Sequence, residues 1–359
     1  MSTPEERRAA LLALTGGEGF THVSPPILMR ATPYFNLAGE EFGRRMLLTA
    51  GNDGEEYCLR PDFTLPIAMG YLDGGAAGLA ASFGYLGPVF RQRQNGPTEF
   101  EQAGIELIGQ PDRDEALDRV FAFAIAATTA YGVTPEVTLG SVELFEALLA
   151  KADMPDVWRP RIRHRFGHPE AMERLLLRLS DPHGGSSGSL PWKHKELVSV
   201  VTDQMVAAGL SLTGSRSPEE IAERYFEKQQ LAAARVPSET ITLLRAYLAL
   251  SGPVASTLER IEKLAVDQGI DISVPLKRLG MHIDALESAP GVGKITFDAG
   301  FSPRLDYYTG LVFELTSNER TLSSGGEYGR LLQRLGATDE IDAAGCAVWV
   351  DRLEAEAGA

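Results

Sequence analysis

Cysteine is nearly absent from this chain, with two in 359 residues, Cys58 and Cys346. Two thiols make neither a disulfide framework nor, by themselves, a structural zinc site. Both stand among apolar residues, so buried, reduced thiols of an intracellular protein are expected. Long apolar runs are also missing, and none reaches the roughly 18 residues of a membrane span. The N-terminus, Met1 to Glu6, is polar and acidic where a secretory signal would be basic and then apolar. The expectation is a soluble, cytoplasmic protein. Positive charge is in short supply. Against 49 Asp and Glu stand 34 Lys and Arg, a net charge of −15. Such a surface repels phosphate backbones and argues against nonspecific nucleic-acid binding.

What is present is globular. A hydrophobic fraction of 44% with 23% charge excludes disordered, collagen-like and coiled-coil classes. The length suits about two domains.

Residues 3–15 read as a helix, with Thr3 as cap, Pro4 in the first turn, Glu6 completing a capping box, and Gly16-Gly17 as the stop. Pro25-Pro26 suits an edge strand. A strand is expected at 57–59, a helix at 63–72, and paired strands at 82–92 and 98–108. In the second of the pair, Phe100, Gln102, Gly104, Glu106 and Ile108 share one face. A long helix at 114–131 and a short strand at 136–139 follow. Helical patterns then dominate residues 141–288, at 141–151, 170–179, 192–208, 218–234, 238–249 and 254–267, with a loop composition at 181–189. Strand patterns return at 294–315 and 343–350, around a helix at 327–335. The layout predicts an α+β domain on an antiparallel sheet, residues 1–140 and 289–359, with a mostly helical insertion at 141–288.

Several motifs carry little. Gly291-Val292-Gly293-Lys294 precedes a strand where a phosphate loop follows one, so it reads as a turn. Gly167 and Pro169 break any helix that would bring His164 and His168 onto one metal. Arg159, Arg161, Arg163 and Arg165 read as a solvated face paired with acids, with anion or partner binding as the other reading. No metal and no cofactor are expected.

Four segments place polar residues inside strand patterns: Leu59–Thr64, Gly87–Gly109, Arg304–Glu314, and Ser324–Tyr328 with Ala344–Leu353. Together they would suit a zwitterionic ligand. Carboxylates would hold an ammonium or imidazole, Arg91 a carboxylate or phosphate, and tyrosine rings a flat side chain.

These segments resemble the histidyl-tRNA synthetase family, of the class II aminoacyl-tRNA synthetases. Val23–Leu28 is similar to motif 1, Phe90–Gly109 to motif 2 and Gly345–Arg352 to motif 3. Leu305-Asp306-Tyr307-Tyr308-Thr309-Gly310 is similar to the histidine-specific signature. The resemblance implies a histidine pocket formed by Asp62 (where Glu is usual), Thr64, Arg91, Gln102, Glu106 and Tyr308, with Tyr307 nearby. It also implies a homodimer through the motif 1 region.

Amino-acid activation needs fixed cations at the α-phosphate of ATP and room for adenine, and the sequence departs from the family there. Pro303 stands where the catalytic Arg is usual, with Arg304 one residue later, and one step along a strand turns a side chain to the other face. Arg93 replaces the motif 2 Glu, the motif 2 loop is shorter than in the synthetases and lacks their basic run, and Trp349 replaces a motif 3 Gly. The chain ends seven residues after Arg352, so no anticodon-binding domain is expected. This combination resembles a paralogue family, the regulatory subunits of ATP phosphoribosyltransferase. By that resemblance the chain has no catalysis of its own. It would assemble with a short-form catalytic subunit as a hetero-oligomer and convey feedback inhibition by L-histidine in histidine biosynthesis. A histidine–tRNA ligase, or another amino-acid-binding or adenylating paralogue, is the alternative.

Overall fold

Thr3 and Glu6 close the capping box: the Glu6 amide donates to Thr3 Oγ1 at 3.2 Å and the Thr3 amide to the Glu6 carboxylate at 2.7 Å. Helix Pro4–Thr15 follows. It packs on a strand and on the helix Arg113–Ala130. Gly84 of that strand makes the approach possible, because a Cβ there would overlap the Thr15 carbonyl. The computed structural model describes residues 3–37, 40–75, 77–93, 96–180, 194–208, 217–303 and 307–358.

Among the described residues twelve strands run in chain order. They are β1 (Thr21–His22), β2 (Leu28–Arg30), β3 (Leu48–Ala50), β4 (Glu56–Leu59), β5 (Ala81–Phe90), β6 (Glu99–Ile108), β7 (Glu136–Ser141), β8 (Ser251–Pro253), β9 (Ile295–Asp298), β10 (Leu311–Ser317), β11 (Arg320–Glu327) and β12 (Ala343–Trp349). Nine form one sheet in the order β1-β5-β6-β12-β11-β10-β7-β9-β8, and β2-β4-β3 form a small second sheet. The centre is antiparallel, as the sequence predicts. Only β1 with β5 and β7 with β9 pair in parallel.

The back of the sheet is covered by helix Arg113–Ala130, whose first turn is closed by Asp112 accepting from the amides of Asp114 and Glu115. It buries Leu117, Val120, Phe121 and Ala124, and Phe121 meets Phe313 of β10 at 4.5 Å. Each such large side chain contributes about 1.5–3 kcal/mol on burial.

The chain divides into two compact units: residues 1–148, 166–168 and 247–359 form one, residues 149–165 and 169–246 the other. All twelve strands lie in the first, with helices Val254–Asp267 and Ser273–Glu287. The second unit is helical. Helix Pro169–Ser180 buries Met172, Leu175 and Leu176 at helical spacing. Arg159 of the basic cluster donates to the carbonyls of Leu149 and Ala152 and pairs with Asp156, so it holds local structure. No helix among the described residues is long and apolar enough to cross a membrane.

Two elements are only weakly marked in the sequence pattern. Strand β11 has one large apolar residue and two glycines, yet it is central, paired with β10 and β12. The smallness is required, since a Cβ on Gly325 would stand 2.5 Å from Cys346 Cβ. Helix Ser273–Glu287 is masked in sequence by Pro275, Gly280 and the buried, polar His282. The loop reading at 181–189 lies outside the described residues.

Candidate functional site

β6 carries Gln102, Gly104 and Glu106 on the face away from helix Arg113–Ala130. On that face the glycine is a spatial requirement, because a Cβ at Gly104 would overlap the Tyr85 hydroxyl and the Cys346 carbonyl. Opposite Glu106 in the ladder stands Gly345 of β12, and a Cβ there would overlap the Glu106 carboxylate. The two glycines thus leave the room that the Tyr85 hydroxyl and the Glu106 carboxylate occupy on this face.

All seven residues read from the sequence (Asp62, Thr64, Arg91, Gln102, Glu106, Tyr307 and Tyr308) line one cavity of about 50 Å³. That is room for three to five water-sized spheres of about 10–15 Å³. Tyr85, Tyr328 and Trp349 join them. Tyr328 stands in a segment the sequence singled out, but its part in the lining was missed. A tyrosine directly after a Gly-Gly-Glu strand end was the available signal. Arg304, Leu305 and Asp306 lie outside the described residues, so the reading that Arg304 is shifted from the catalytic-Arg position and two of the six residues of the histidine-specific signature do too.

Glu106 is 1% exposed. Thr64 Oγ1, on the first turn of helix Thr64–Asp73, donates to Glu106 Oε1 at 2.6 Å, and the Tyr328 hydroxyl donates to Oε2. Burial pushes the Glu106 carboxyl up to about 8, against the pull of those two hydroxyls. Asp62 is pushed up to about 6 by burial, with the Arg91 charge and the Leu65 amide opposing. The Leu65 amide reaches Asp62 Oδ1 at 3.3 Å. Asp62 Oδ2 and Gln102 Oε1 are buried with no hydrogen-bond partner among the described residues. Both are acceptors, and a buried acceptor left unpaired costs about 1–3 kcal/mol.

The cation side is fixed by the β5 end. The Arg91 amide donates to the Thr98 carbonyl at 2.9 Å, and its guanidinium lies 5.4 Å from the rings of both Phe42 and Phe100. It makes no hydrogen bond or ion pair among the described residues. Arg60, by contrast, is a strut. It stacks on Phe63 at 4.0 Å and donates to the carbonyls of Pro25 and Pro88, while Phe63 stacks on Tyr85 at 4.3 Å.

Beyond the cavity, two cations of the motif 2 and motif 3 segments, Arg93 and Arg352, are engaged. Arg93 lies 3.1 Å over the Phe100 ring and pairs with Asp351 at 2.6 Å. Arg352 donates to the Thr321 carbonyl at 2.6 Å and lies 4.7 Å over the Trp349 ring. Behind the tyrosines, Glu327 accepts from the Leu311 amide at 2.9 Å and pairs with Arg278 at 2.7 Å. This pairing anchors both the turn ahead of β10 and the strand end that carries Tyr328. Cys58 and Cys346 are both free and buried, as expected, and burial pushes the Cys58 thiol up to about 12.

The fold and cavity define a chain of the histidyl-tRNA synthetase-like, class II type. The family model described as histidyl-tRNA synthetase matches residues 2–166 and 218–353. A solved structure titled an ATP phosphoribosyltransferase regulatory subunit/histidyl-tRNA synthetase, from Bacillus halodurans, superposes with a TM-score of 0.65 at 22% identity, covering 99% of this chain and 78% of that one. A histidine–tRNA ligase subunit from Alicyclobacillus acidocaldarius superposes at 0.58 with 21% identity, over 98% and 94% of the two chains. The ATP phosphoribosyltransferase regulatory subunit of Sinorhizobium medicae is 37% identical over 352 residues, 94% of this chain and 93% of the relative. That of Rhizobium rhizogenes is 39% identical over 345 residues, 92% of each. The chain belongs to the family of ATP phosphoribosyltransferase regulatory subunits.

Proposed function

We propose that this chain is the non-catalytic regulatory subunit of an ATP phosphoribosyltransferase and binds L-histidine in the cavity around Glu106. The observation that carries the histidine site is the pair of acceptors without a partner among the described residues, Asp62 Oδ2 and Gln102 Oε1, in the same cavity as Glu106 and Arg91. Buried acceptors ask for a donor-rich cation, and Arg91 asks for a carboxylate. A zwitterion with a flat side chain supplies both, and the tyrosines supply the walls. The engaged Arg93 and Arg352, and the indole of Trp349, support a regulatory rather than an adenylating role.

The relatives' name supports a partner, a short-form catalytic chain that carries the phosphoribosyl transfer. Histidine then acts as an allosteric effector, shifting the assembly only as far as its affinity differs between states. Ile27 and Leu28, 46% and 52% exposed beside Pro25-Pro26, support a homodimer through this region. The setting is the cytoplasm.

The test is reconstitution. Mixing the chain with a short catalytic subunit is expected to raise its activity and make it histidine-sensitive, and Glu106→Gln is expected to abolish that sensitivity. A histidine–tRNA ligase or other adenylating paralogue has the family model in its favour. Robust ATP–pyrophosphate exchange with histidine would replace the regulatory reading with that one.

A further inference from the structure

The cavity sets two carboxyls, Asp62 and Glu106, in one apolar enclosure, and the cation among its described lining residues is Arg91. Arg91 serves Asp62, where its charge is the main counter to burial. Arg60, Tyr34 and Cys58 are the further charged or titratable groups around Asp62. The groups around Glu106 bring no cation among the described residues. They are the Thr64 and Tyr328 hydroxyls, the phenols of Tyr85 from β5 and of Tyr307 and Tyr308 ahead of β10, which lie around Asp62 as well, the Cys346 thiol on the far side of β12, and the Asp62 carboxyl itself. Burial pushes these phenols and the thiol up, so they stay neutral and offer dipoles, not charge. A second anion beside Asp62 without a cation of its own is far more costly than a neutral acid.

We propose that Glu106 is protonated in the empty cavity and gives its proton to solvent when the ligand's α-ammonium, a cation already in solution, enters, so that binding is coupled to proton release. The inference rests on the reading of the cavity as a histidine site. In the step the Glu106 carboxyl O–H ionises, the proton leaves to the buffer, and the carboxylate pairs with the incoming cation. Nothing else need move. The Thr64 and Tyr328 hydroxyls rotate freely between donating to a carboxylate and accepting from an acid. A carboxyl that burial has pushed up to about 8 fits this. At pH 7 such a group carries about 0.9 proton, and affinity should rise about fivefold between pH 7 and pH 8.

The experiment is calorimetric titration of the full chain with L-histidine at neutral pH, in phosphate and in Tris. The dependence of the heat on buffer ionisation enthalpy counts the protons. Release of close to one proton is expected, with none from Glu106→Gln if it still binds. Tyr328→Phe is expected to bind more weakly and still release the proton. The infrared difference between bound and free native chain should lose a protonated-carboxyl band, a readout that needs no variant. Histidine binding with no release, or with uptake, would overturn the inference and leave the effector reading standing. Absence of binding in both buffers would remove the effector reading, and this inference with it.

Discussion

A single methyl group at Gly345 tests the cavity's construction. Gly345 faces Glu106 across the β6–β12 ladder, and a Cβ there would overlap the carboxylate and stand 2.7 Å from the Ile105 carbonyl. The strand backbones are held by the ladder on both sides, so the carboxylate has to give way. Overpacking of this kind costs about 1–3 kcal/mol of stability. Displacing the carboxylate also breaks its hydrogen bonds to Thr64 and Tyr328 and its aim at the ligand. A charge-assisted hydrogen bond is worth about 1.5–3 kcal/mol, which is roughly 10- to 150-fold in affinity. Gly280 is the control. It lies in helix Ser273–Glu287 with nothing within 4 Å of an added Cβ, so Gly280→Ala should stabilise by about 0.5–1 kcal/mol and leave binding alone. Urea unfolding and histidine calorimetry on both variants give the answer. Gly345→Ala with native affinity and native stability would refute the close approach on which the site is built.

Three further outcomes follow from the same geometry. Trp349→Gly should open space next to Arg352 and give weak but measurable ATP binding; no gain in nucleotide binding counts against steric exclusion by the indole. Arg278→Met leaves the Glu327 carboxylate, 8% exposed, without its cation. It should cost about 3 kcal/mol in urea unfolding, with part recovered by adding Glu327→Gln, and an unchanged midpoint would show the pair to be dispensable. The raised Glu106 carboxyl has a stability consequence with a definite sign. Between the ordinary carboxylate range and about 8, the folded chain holds a proton that the unfolded chain has lost. Stability of the unliganded protein therefore falls as pH rises through that window, by on the order of a few kcal/mol. Glu106→Gln should remove this part of the slope and be the more stable form at pH 8; parallel stability–pH curves for the two proteins would contradict it.

The sheet's central strands were legible because β5 and β6 carry strong strand patterns and β6 interrupts its own with Gln102, Gly104 and Glu106. An isolated polar residue in a buried strand is ambiguous, but a Gln-x-Gly-x-Glu run marks a face that must leave room for something. The seven site residues line one cavity on that face. Of strand β11 only the end, Ser324–Glu327, was legible; the place of the rest depends on how closely β10 and β12 approach, and small residues leave no periodic signal. Tyr328 went unassigned for a related reason: its hydroxyl meets Glu106 across 222 positions of sequence, a pairing only the folded sheet creates. The engagement of Arg93 with Asp351 and Phe100 is likewise tertiary. The sequence marked Arg93 as a departure but gave no indication of what it would hold.

The central claim is that this cavity makes a partner enzyme responsive to histidine. The most direct measurement is the phosphoribosyltransferase activity of a short catalytic chain with and without this protein, titrated with L-histidine. Activity is expected to rise on mixing and then to fall as histidine is added, with the fall lost in the Glu106→Gln variant. Activity and histidine sensitivity that are the same with and without this chain would contradict it.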